Sequence, residues 1–457
     1  MKHWREECAI IALWGDEEAS RMAYLGLYAQ QHRGQESSGI VSLNDKSHII
    51  HKGTGLVGKV YQEADLERLK GKAAIGHNRY STTGENLLAN IQPLTANFHN
   101  SPIALAHNGN IVNSSTLRNQ FIEEGAIFQG TNDTEILLHL LARSKKNDCV
   151  EGLMEVLPKL VGAFCISLLT NEKLVVARDP HGFRPLVLGK RKQESGQFSY
   201  VVASETCAFD LIGAEFIREV EPGEIISIDD SGIKSFSISN EDKKLSQCIF
   251  EHVYFSRPDS QVFGANVYTS RKEMGKALAK EDFVEADIVV PVPDSGVAAA
   301  IGYAQEANKP FEMAIIRNHY IGRTFIQPSQ SIRSFDVKIK LNPQAEVLKG
   351  KKVVIIDDSL VRGTTSKKII SLVKAAGAKE VHFRVACPPT TGSCYYGVDT
   401  PEKEALIANK MSVKEIEKAI GADSLLYLSQ EGLKKSVAVK KEGFCMACFD
   451  GKYPTEI

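Results

Sequence analysis

The chain has 457 residues, 43% of them hydrophobic and 24% charged, with a formal net charge of −1. That balance describes an ordinary globular protein long enough for two or three domains, and it excludes the strong basic field that gathers a nucleic-acid backbone. No apolar run approaches the roughly 20 residues of a membrane span.

Residues 1–7 contain Glu6 and Glu7 and read as neither a signal nor a transit peptide, which implies a cytoplasmic location. Cys8-Ala9-Ile10-Ile11-Ala12-Leu13-Trp14 is an apolar strand closed by a turn at Gly15-Asp16, and composition alone makes Cys8 a core thiol. Residues 23–31 read as a helix. Two polar loops follow: one runs from Gly76 to Gly84 and carries Arg79, Thr82 and Gly84; the other contains Asn108-Gly109, by itself only a turn signal. The run Gly130 to Glu135, with Asp133, reads as the polar start of a helix over 136–142. Between 153 and 241, strands at 163–168, 174–179, 185–188 and 200–205 alternate with turns, the pattern of two mainly antiparallel sheets with helices outside.

A polar stretch over 237–247 marks a boundary. A helix at 270–280, a strand at 288–292, Asp294-Ser295-Gly296 opening a helix at 297–306, and a strand at 311–317 give a doubly wound α/β pattern. The aperiodic segment 318–348 carries Arg323, Arg333, Lys338 and Lys340, and loops of that length are usually functional. Val353-Val354-Ile355-Ile356 is a buried strand that ends in Asp357-Asp358. Ser359, Arg362, Gly363, Thr364 and Thr365 then lead into the helical pattern Ile369, Ile370, Leu372, Val373, a turn that offers N–H groups and a helix N-terminus to phosphate. In open sheets ligands sit at the carboxyl ends of strands, so Asp294–Gly296 and Asp357–Thr365 should line one crevice.

Nine cysteines, scattered and odd in number, do not make a disulfide framework; in a reducing compartment they are core thiols, nucleophiles or metal ligands. Cys149, Cys165 and Cys207 lack metal-like spacing and read as core thiols, as does Cys387. Cys248, Cys394, Cys445 and Cys448 could together hold zinc or iron–sulfur, and spacing does not choose between them.

Taken in order from Cys8 to Pro454, these motifs resemble the amidophosphoribosyltransferases, which join a class II glutamine amidotransferase domain to a type I phosphoribosyltransferase domain. The resemblance implies an αββα N-terminal nucleophile hydrolase domain over 8–240, an α/β phosphoribosyltransferase domain over 241–435, and a tail over 436–457 bearing two cluster cysteines. Residues 1–7 would be a leader whose removal makes Cys8 the first residue, so that its own α-amine accepts the thiol proton. Cys8 would then be the nucleophile, with Asn108 and Gly109 the oxyanion donors. Arg79 and Asp133 would hold the α-carboxylate and α-amine of glutamine, and Thr82 and Gly84 would lie in the loop over it.

For phosphoribosyl pyrophosphate, the resemblance implies Asp294, Ser295 and Gly296 at the pyrophosphate, Arg323 in a catalytic loop, Asp357 and Asp358 at the ribose hydroxyls, and Ser359, Arg362, Gly363, Thr364 and Thr365 around the 5-phosphate. Mg²⁺ would meet Ser295, Asp357 and Asp358, while Cys248, Cys394, Cys445 and Cys448 would hold a structural [4Fe–4S] cluster. Purine nucleotide feedback inhibitors and a homotetramer are implied as well. Ala9, Asn78, His319 and Lys338 depart from the family pattern; a lysine cannot reproduce the bidentate fork of an arginine on phosphate. Two rivals are a glutamine-dependent sugar-phosphate aminotransferase, against which the Asp357–Thr365 string argues, and a non-catalytic phosphoribosyl-binding regulator, against which Cys8 with Arg79, Asn108, Gly109 and Asp133 argues.

Overall fold

The computed structural model describes residues 8–80, 88–238, 244–319, 341–398, 400–437 and 443–457. Thr82, Gly84, Arg323 and Lys338 lie outside them, as do residues 1–7 of the expected leader.

The run Cys8–Trp14 forms a strand buried along its whole length. It is hydrogen-bonded on both sides, because it is the fourth of seven strands ordered Ala214–Glu219, Val187–Lys192, Phe198–Ala203, Cys8–Trp14, Ala73–Arg79, Ser37–Asn44, Ser47–Thr54. Side chains alternate across such a sheet. Ile11 and Leu13 therefore pack with Met22, Ala23 and Leu27 of the helix Ala19–Ala29, while Ile10, Ala12 and Trp14 turn to a core shared with Ala104, Ala106, Cys165 and Val176 of a second sheet. That sheet has six strands in the order Gly232–Ser237, Glu224–Asp229, Leu174–Arg178, Gly162–Leu169, Ser101–Ile111, Leu94–Phe98. Its outer face packs Leu105 and Ile166 against Leu137, Leu140 and Leu153 of the helices Glu135–Arg143 and Cys149–Val156. The result is the four-layer αββα arrangement expected from the alternating strands.

The second unit is a parallel sheet ordered Ile288–Pro291, Lys352–Asp357, Glu380–Val385, Ser424–Tyr427. Val353, Val354, Ile355 and Ile356 are all at most 1% exposed, which explains why that strand reads as an unbroken apolar run. The helix Val297–Ala307 follows the first strand and Thr364–Ala375 follows the second. The expected strand over 311–317 is smaller than its apolar content suggests. Phe311 makes a single parallel bridge to Val289, and Ile315–Arg317 pairs antiparallel with Leu341–Pro343, outside the main sheet.

Near the carboxyl end, Phe444–Cys445 pairs in parallel with Gln247–Cys248 and sets Cys445 opposite Cys248. The closing residues are thereby fastened to the start of the second unit.

Candidate functional site

Cys8 opens its strand directly opposite Arg79, the last residue of the neighbouring strand, and Arg79 is also in register with Ser37. Both side chains are buried, Cys8 at 7% and Arg79 at 4% exposure. Arg79 Nη1 donates to the carbonyl of Asn90 at 3.4 Å. The Ser204 hydroxyl joins two parts of the site, accepting from the Ile10 amide at 3.0 Å and from Asn108 Nδ2 at 3.3 Å. Asn108 and Gly109 lie in the strand Ser101–Ile111, paired with Cys165 and Phe164.

Asp133 caps no helix. The helix begins at Glu135, whose amide is met by Asn132 Oδ1 at 3.0 Å, and Asp133 Oδ2 instead accepts from the Ile111 amide at 2.9 Å. Burial pulls the Asp133 pKa up, but the opposing charge and hydrogen bond of His107 and the Ile111 N–H prevail and hold it below the usual carboxylate range. A carboxylate kept ionised at the end of the Asn108–Gly109 strand is suited to receive a substrate ammonium.

Beneath the nucleophile lies a buried ionic hub. Arg33 Nε donates to the Cys8 carbonyl at 3.1 Å, while its terminal nitrogens reach Glu205 at 2.5 Å and Glu251 at 2.8 Å. Glu205 also meets His32 at 2.7 Å and Ser260 at 2.6 Å; Glu251 meets Arg184 at 3.0 Å and the Ser256 hydroxyl. Burial raises both carboxyls, but His32 and Arg33 around Glu205, and Arg33 and Arg184 around Glu251, bring each below the ordinary range. Ser204, Glu205, Arg33 and Glu251 were not singled out from the sequence for the site. The string Ala203-Ser204-Glu205-Thr206 matches the family pattern but reads there as architecture.

In the second unit the loops after adjacent strands converge as the fold rule requires. Val292 N donates to the Ile356 carbonyl at 2.8 Å, and a Cβ on Gly296 would stand 2.4 Å from that same oxygen, so only glycine lets the two turns close up. Asp294 pairs with Arg317, and the Pro293–Asp294 peptide bond is cis. Asp357 and Asp358 are each 7% exposed, with Ser359 Oγ donating to Asp358 Oδ2 at 2.5 Å. Burial, then the charge of Asp358, pushes the Asp357 carboxyl well above its usual range. Gly363, at φ 73°, turns the chain into the helix beginning at Thr364, whose side chain is exposed with those of Arg362 and Thr365.

A cavity of about 480 Å³ lies between the units and is lined by His32, Tyr80, Arg257, Arg271, Asp294 and Ser295, among others. It reaches from the neighbour of Arg79 to the loop of Ser295.

Cys248, Cys394, Cys445 and Cys448 line one enclosed, almost wholly apolar cavity with Phe183, Phe250 and Tyr396. Hydrogen bonds fix its walls: Thr391 N and Gly392 N donate to the Cys448 carbonyl at 2.9 and 3.0 Å, and Cys248 N to the Phe183 carbonyl at 3.0 Å. Among the described residues no group of three or more His, Cys, Asp or Glu is gathered closely enough for a single metal ion. One zinc, with Zn–S near 2.3 Å, requires its thiolates within about 4 Å of one another, whereas a cluster takes each thiolate on a separate iron. An all-sulfur donor set in an apolar cavity has the chemistry that either zinc or an iron–sulfur cluster takes. Cys387, Cys149, Cys165 and Cys207 are buried, and burial raises all four thiols, Cys149 and Cys165 to about 12. Of the departures from the family pattern, Ala9 and Asn78 are buried in the sheet, Asn78 donating to the Leu27 carbonyl at 2.8 Å, and His319 is exposed.

Residues 77–210 match the family model described as a glutamine amidotransferase domain, and residues 270–423 that of a phosphoribosyl transferase domain. The chain is 52% identical over 454 residues to the chloroplastic amidophosphoribosyltransferase of Glycine max, spanning 99% of this chain and 79% of that protein. It is 48% identical over 462 residues to the amidophosphoribosyltransferase of Bacillus subtilis, spanning 100% and 96%. The solved B. subtilis glutamine phosphoribosylpyrophosphate amidotransferase, complexed with ADP and GMP, superposes with a TM-score of 0.93 at 47% identity, with 98% of each chain covered.

Proposed function

The chain belongs to the amidophosphoribosyltransferase family, and from that premise we propose how its own residues divide the work. It takes nitrogen from glutamine and transfers it to phosphoribosyl pyrophosphate, giving 5-phosphoribosylamine and pyrophosphate in purine biosynthesis. The observation that carries the division is the register of Cys8 with Arg79, together with the Ser204 bridge from the same strand to Asn108.

Arg79 and Asp133 hold the α-carboxylate and α-ammonium of glutamine, and Thr82 and Gly84 belong to the loop that covers it. With residues 1–7 removed, the Cys8 α-amine takes the thiol proton and Sγ attacks the side-chain amide carbon. Asn108 Nδ2 and the Gly109 amide receive the developing oxyanion. The nitrogen takes the proton and leaves as ammonia, and water then cleaves the thioester to glutamate.

The interdomain cavity lies between the two half-sites, on the path ammonia takes to the second. There its lone pair attacks the anomeric carbon, the bond to pyrophosphate breaks with inversion, and the nitrogen sheds a proton. Asp357 and Asp358 orient the ribose hydroxyls; Ser359, Arg362, Gly363, Thr364 and Thr365 cradle the 5-phosphate; Asp294, Ser295, Gly296 and Arg323 serve the pyrophosphate. The paired carboxylates and the Ser295 hydroxyl are hard oxygen donors suited to Mg²⁺, which when bound offsets pyrophosphate charge. The four cavity cysteines suit a structural [4Fe–4S] cluster that ties residues 436–457 to the junction of domains 8–240 and 241–435. The basic groups Arg257, Arg271 and Arg317 in the cavity suit purine nucleotide phosphates as feedback inhibitors. We place the enzyme in the cytoplasm as a homotetramer; no helix among the described residues is long and apolar enough to cross a membrane.

The test is paired turnover. The processed chain should form glutamate and pyrophosphate when given glutamine and phosphoribosyl pyrophosphate, and Cys8→Ala should abolish that while leaving turnover with free ammonia. Loss of both would refute the two-site division.

A further inference from the structure

Among the contacts of the second unit with the first is one beside the oxyanion donors that the mechanism above does not use. The segment Cys394–Val398 lies against the strand carrying Asn108 and Gly109: Asn110 Nδ2 donates to the Tyr395 carbonyl at 2.8 Å, across 285 residues of sequence. A Cβ on Gly397 would stand 3.3 Å from the Gly109 carbonyl carbon and 3.4 Å from its Cα. On its other side Gly109 is equally confined, since a Cβ there would meet the Ala163 carbonyl oxygen at 2.1 Å. Its φ of +146° is one that side chains rarely adopt. The peptide at Gly109 is therefore held between a strand of its own sheet and a loop of the other domain.

That loop is itself anchored. The Gly397 carbonyl accepts from the guanidinium of Arg184, which is bound to Glu251 in the buried hub. The Tyr396 ring stacks on Phe183 at 4.1 Å between centroids, and its hydroxyl bonds Thr455 Oγ1 at 2.9 Å. A single N–H···O bond to a fixed carbonyl, with a glycine contact beside it, sets where the adjoining peptide points.

We propose that Asn110 and Gly397 are positioning residues for the glutamine half-reaction, through which loop 394–398 of the second domain holds the Asn108–Gly109 donors in line with the oxyanion. This rests on the reading of Asn108 and Gly109 as those donors. Oxyanion stabilisation depends steeply on donor placement, and an error of about 1 Å far from the chemistry can cost on the order of 100-fold. Neither residue is among those assigned above to glutamine, the thiol or the phosphoribosyl site. Disturbing them should reduce glutamine turnover and spare the ammonia reaction.

The test uses the processed full-length chain with two substitutions from opposite sides of the contact. Asn110→Asp keeps the side-chain size and removes the N–H donor. Gly397→Ala puts a methyl against Gly109 at a left-handed backbone position, φ +93°. For each variant kcat for glutamine should fall about 10-fold or more with KM within about 3-fold, the signature of an interaction made mainly in the transition state. The ammonia-dependent rate should stay within about 2-fold, and alkylation of Cys8 by iodoacetamide should proceed at the wild-type rate, showing an intact nucleophile. If Gly397→Ala does not accumulate folded, Asn110→Asp decides alone. Glutamine kcat within about 2-fold of wild type in the folded variants, or a parallel fall of both reactions in Asn110→Asp, would overturn the proposal. A processed wild type unable to use glutamine would instead overturn the underlying reading of the first half-site.

Discussion

Cys8 and Arg79 face each other across two antiparallel strands, the first residue of one against the last of the other. Backbone pairing fixes the distance between nucleophile and guanidinium more firmly than a loop would, which suits Arg79 to locate a substrate carboxylate beside the thiol. Removing it as Arg79→Ala should raise the KM for glutamine roughly 10- to 100-fold, the equivalent of about 1.5–3 kcal/mol for a charged hydrogen bond. Arg79→Lys should recover only part of this, because lysine lacks the fork. Steady-state kinetics with glutamine and with ammonia checks the assignment; an unchanged glutamine KM in Arg79→Ala would remove Arg79 from the substrate site.

Asp357 predicts a pH dependence whose sign follows from its burial beside Asp358. The folded pKa of Asp357 lies above its unfolded value, so the ligand-free chain gains stability from this group as pH falls. It loses that contribution as pH rises above the ordinary carboxylate range and through the raised pKa, where buried Asp357 must ionise. Mg²⁺ with phosphoribosyl pyrophosphate requires the ionised form, so affinity should rise with pH through the raised pKa, and binding below it should release a proton. Calorimetric titrations in two buffers of different ionisation enthalpy would measure that proton. In Asp357→Asn the release should vanish and affinity should fall, whereas a wild-type affinity flat with pH would contradict the assignment.

Much of this arrangement was legible in the chain, and the illegible part has a common cause. The strand Cys8–Trp14 is legible to the residue because an apolar run bounded by a turn leaves little choice, and the strand ending at Asp357 is legible for the same reason. Asp133 stands in the sequence both as a functional candidate and at the polar start of a helix, and what its carboxylate meets is the Ile111 amide, a partner no local pattern marks. The hub was hidden because Arg33 finds Glu205 172 residues away and Glu251 218 residues away. Nothing local marks such a pair; buried arginines and glutamates look in sequence like surface charges. The contact of Gly397 with Gly109 was hidden for the same reason.

The hub should make the domain junction acid-sensitive. Glu205 and Glu251 have folded pKa values below their unfolded ones, so their stabilisation is fully present above the ordinary glutamate range, near 4.3. It is lost as pH falls through the depressed values. Glu251→Gln removes the charge that Arg33 and Arg184 share, and leaving a buried guanidinium uncompensated typically costs about 3–5 kcal/mol. Denaturant unfolding at neutral pH should show that loss, and thermal scans toward low pH should show wild type and variant converging. A variant as stable as wild type at neutral pH would mean that the buried charges are compensated in another way.

The cysteine assignment separates four residues from a fifth. Cys387 is buried beside Asp357 and Asp358 and does not line the cysteine cavity. Cys394 and Cys448, in contrast, line the cavity with Cys248 and Cys445. Anaerobically purified wild type should therefore carry iron and sulfide in equal amount, near four of each per chain for a cubane cluster. Native against denaturing mass spectrometry would resolve this. Cys394→Ser or Cys448→Ser should lose most of that mass excess, while Cys387→Ala should keep it, because Cys387 does not line the cavity. A mass excess of one zinc would replace the cluster with a single-ion site drawn tight on binding, and retention of iron in Cys448→Ser would remove that residue from the ligand set.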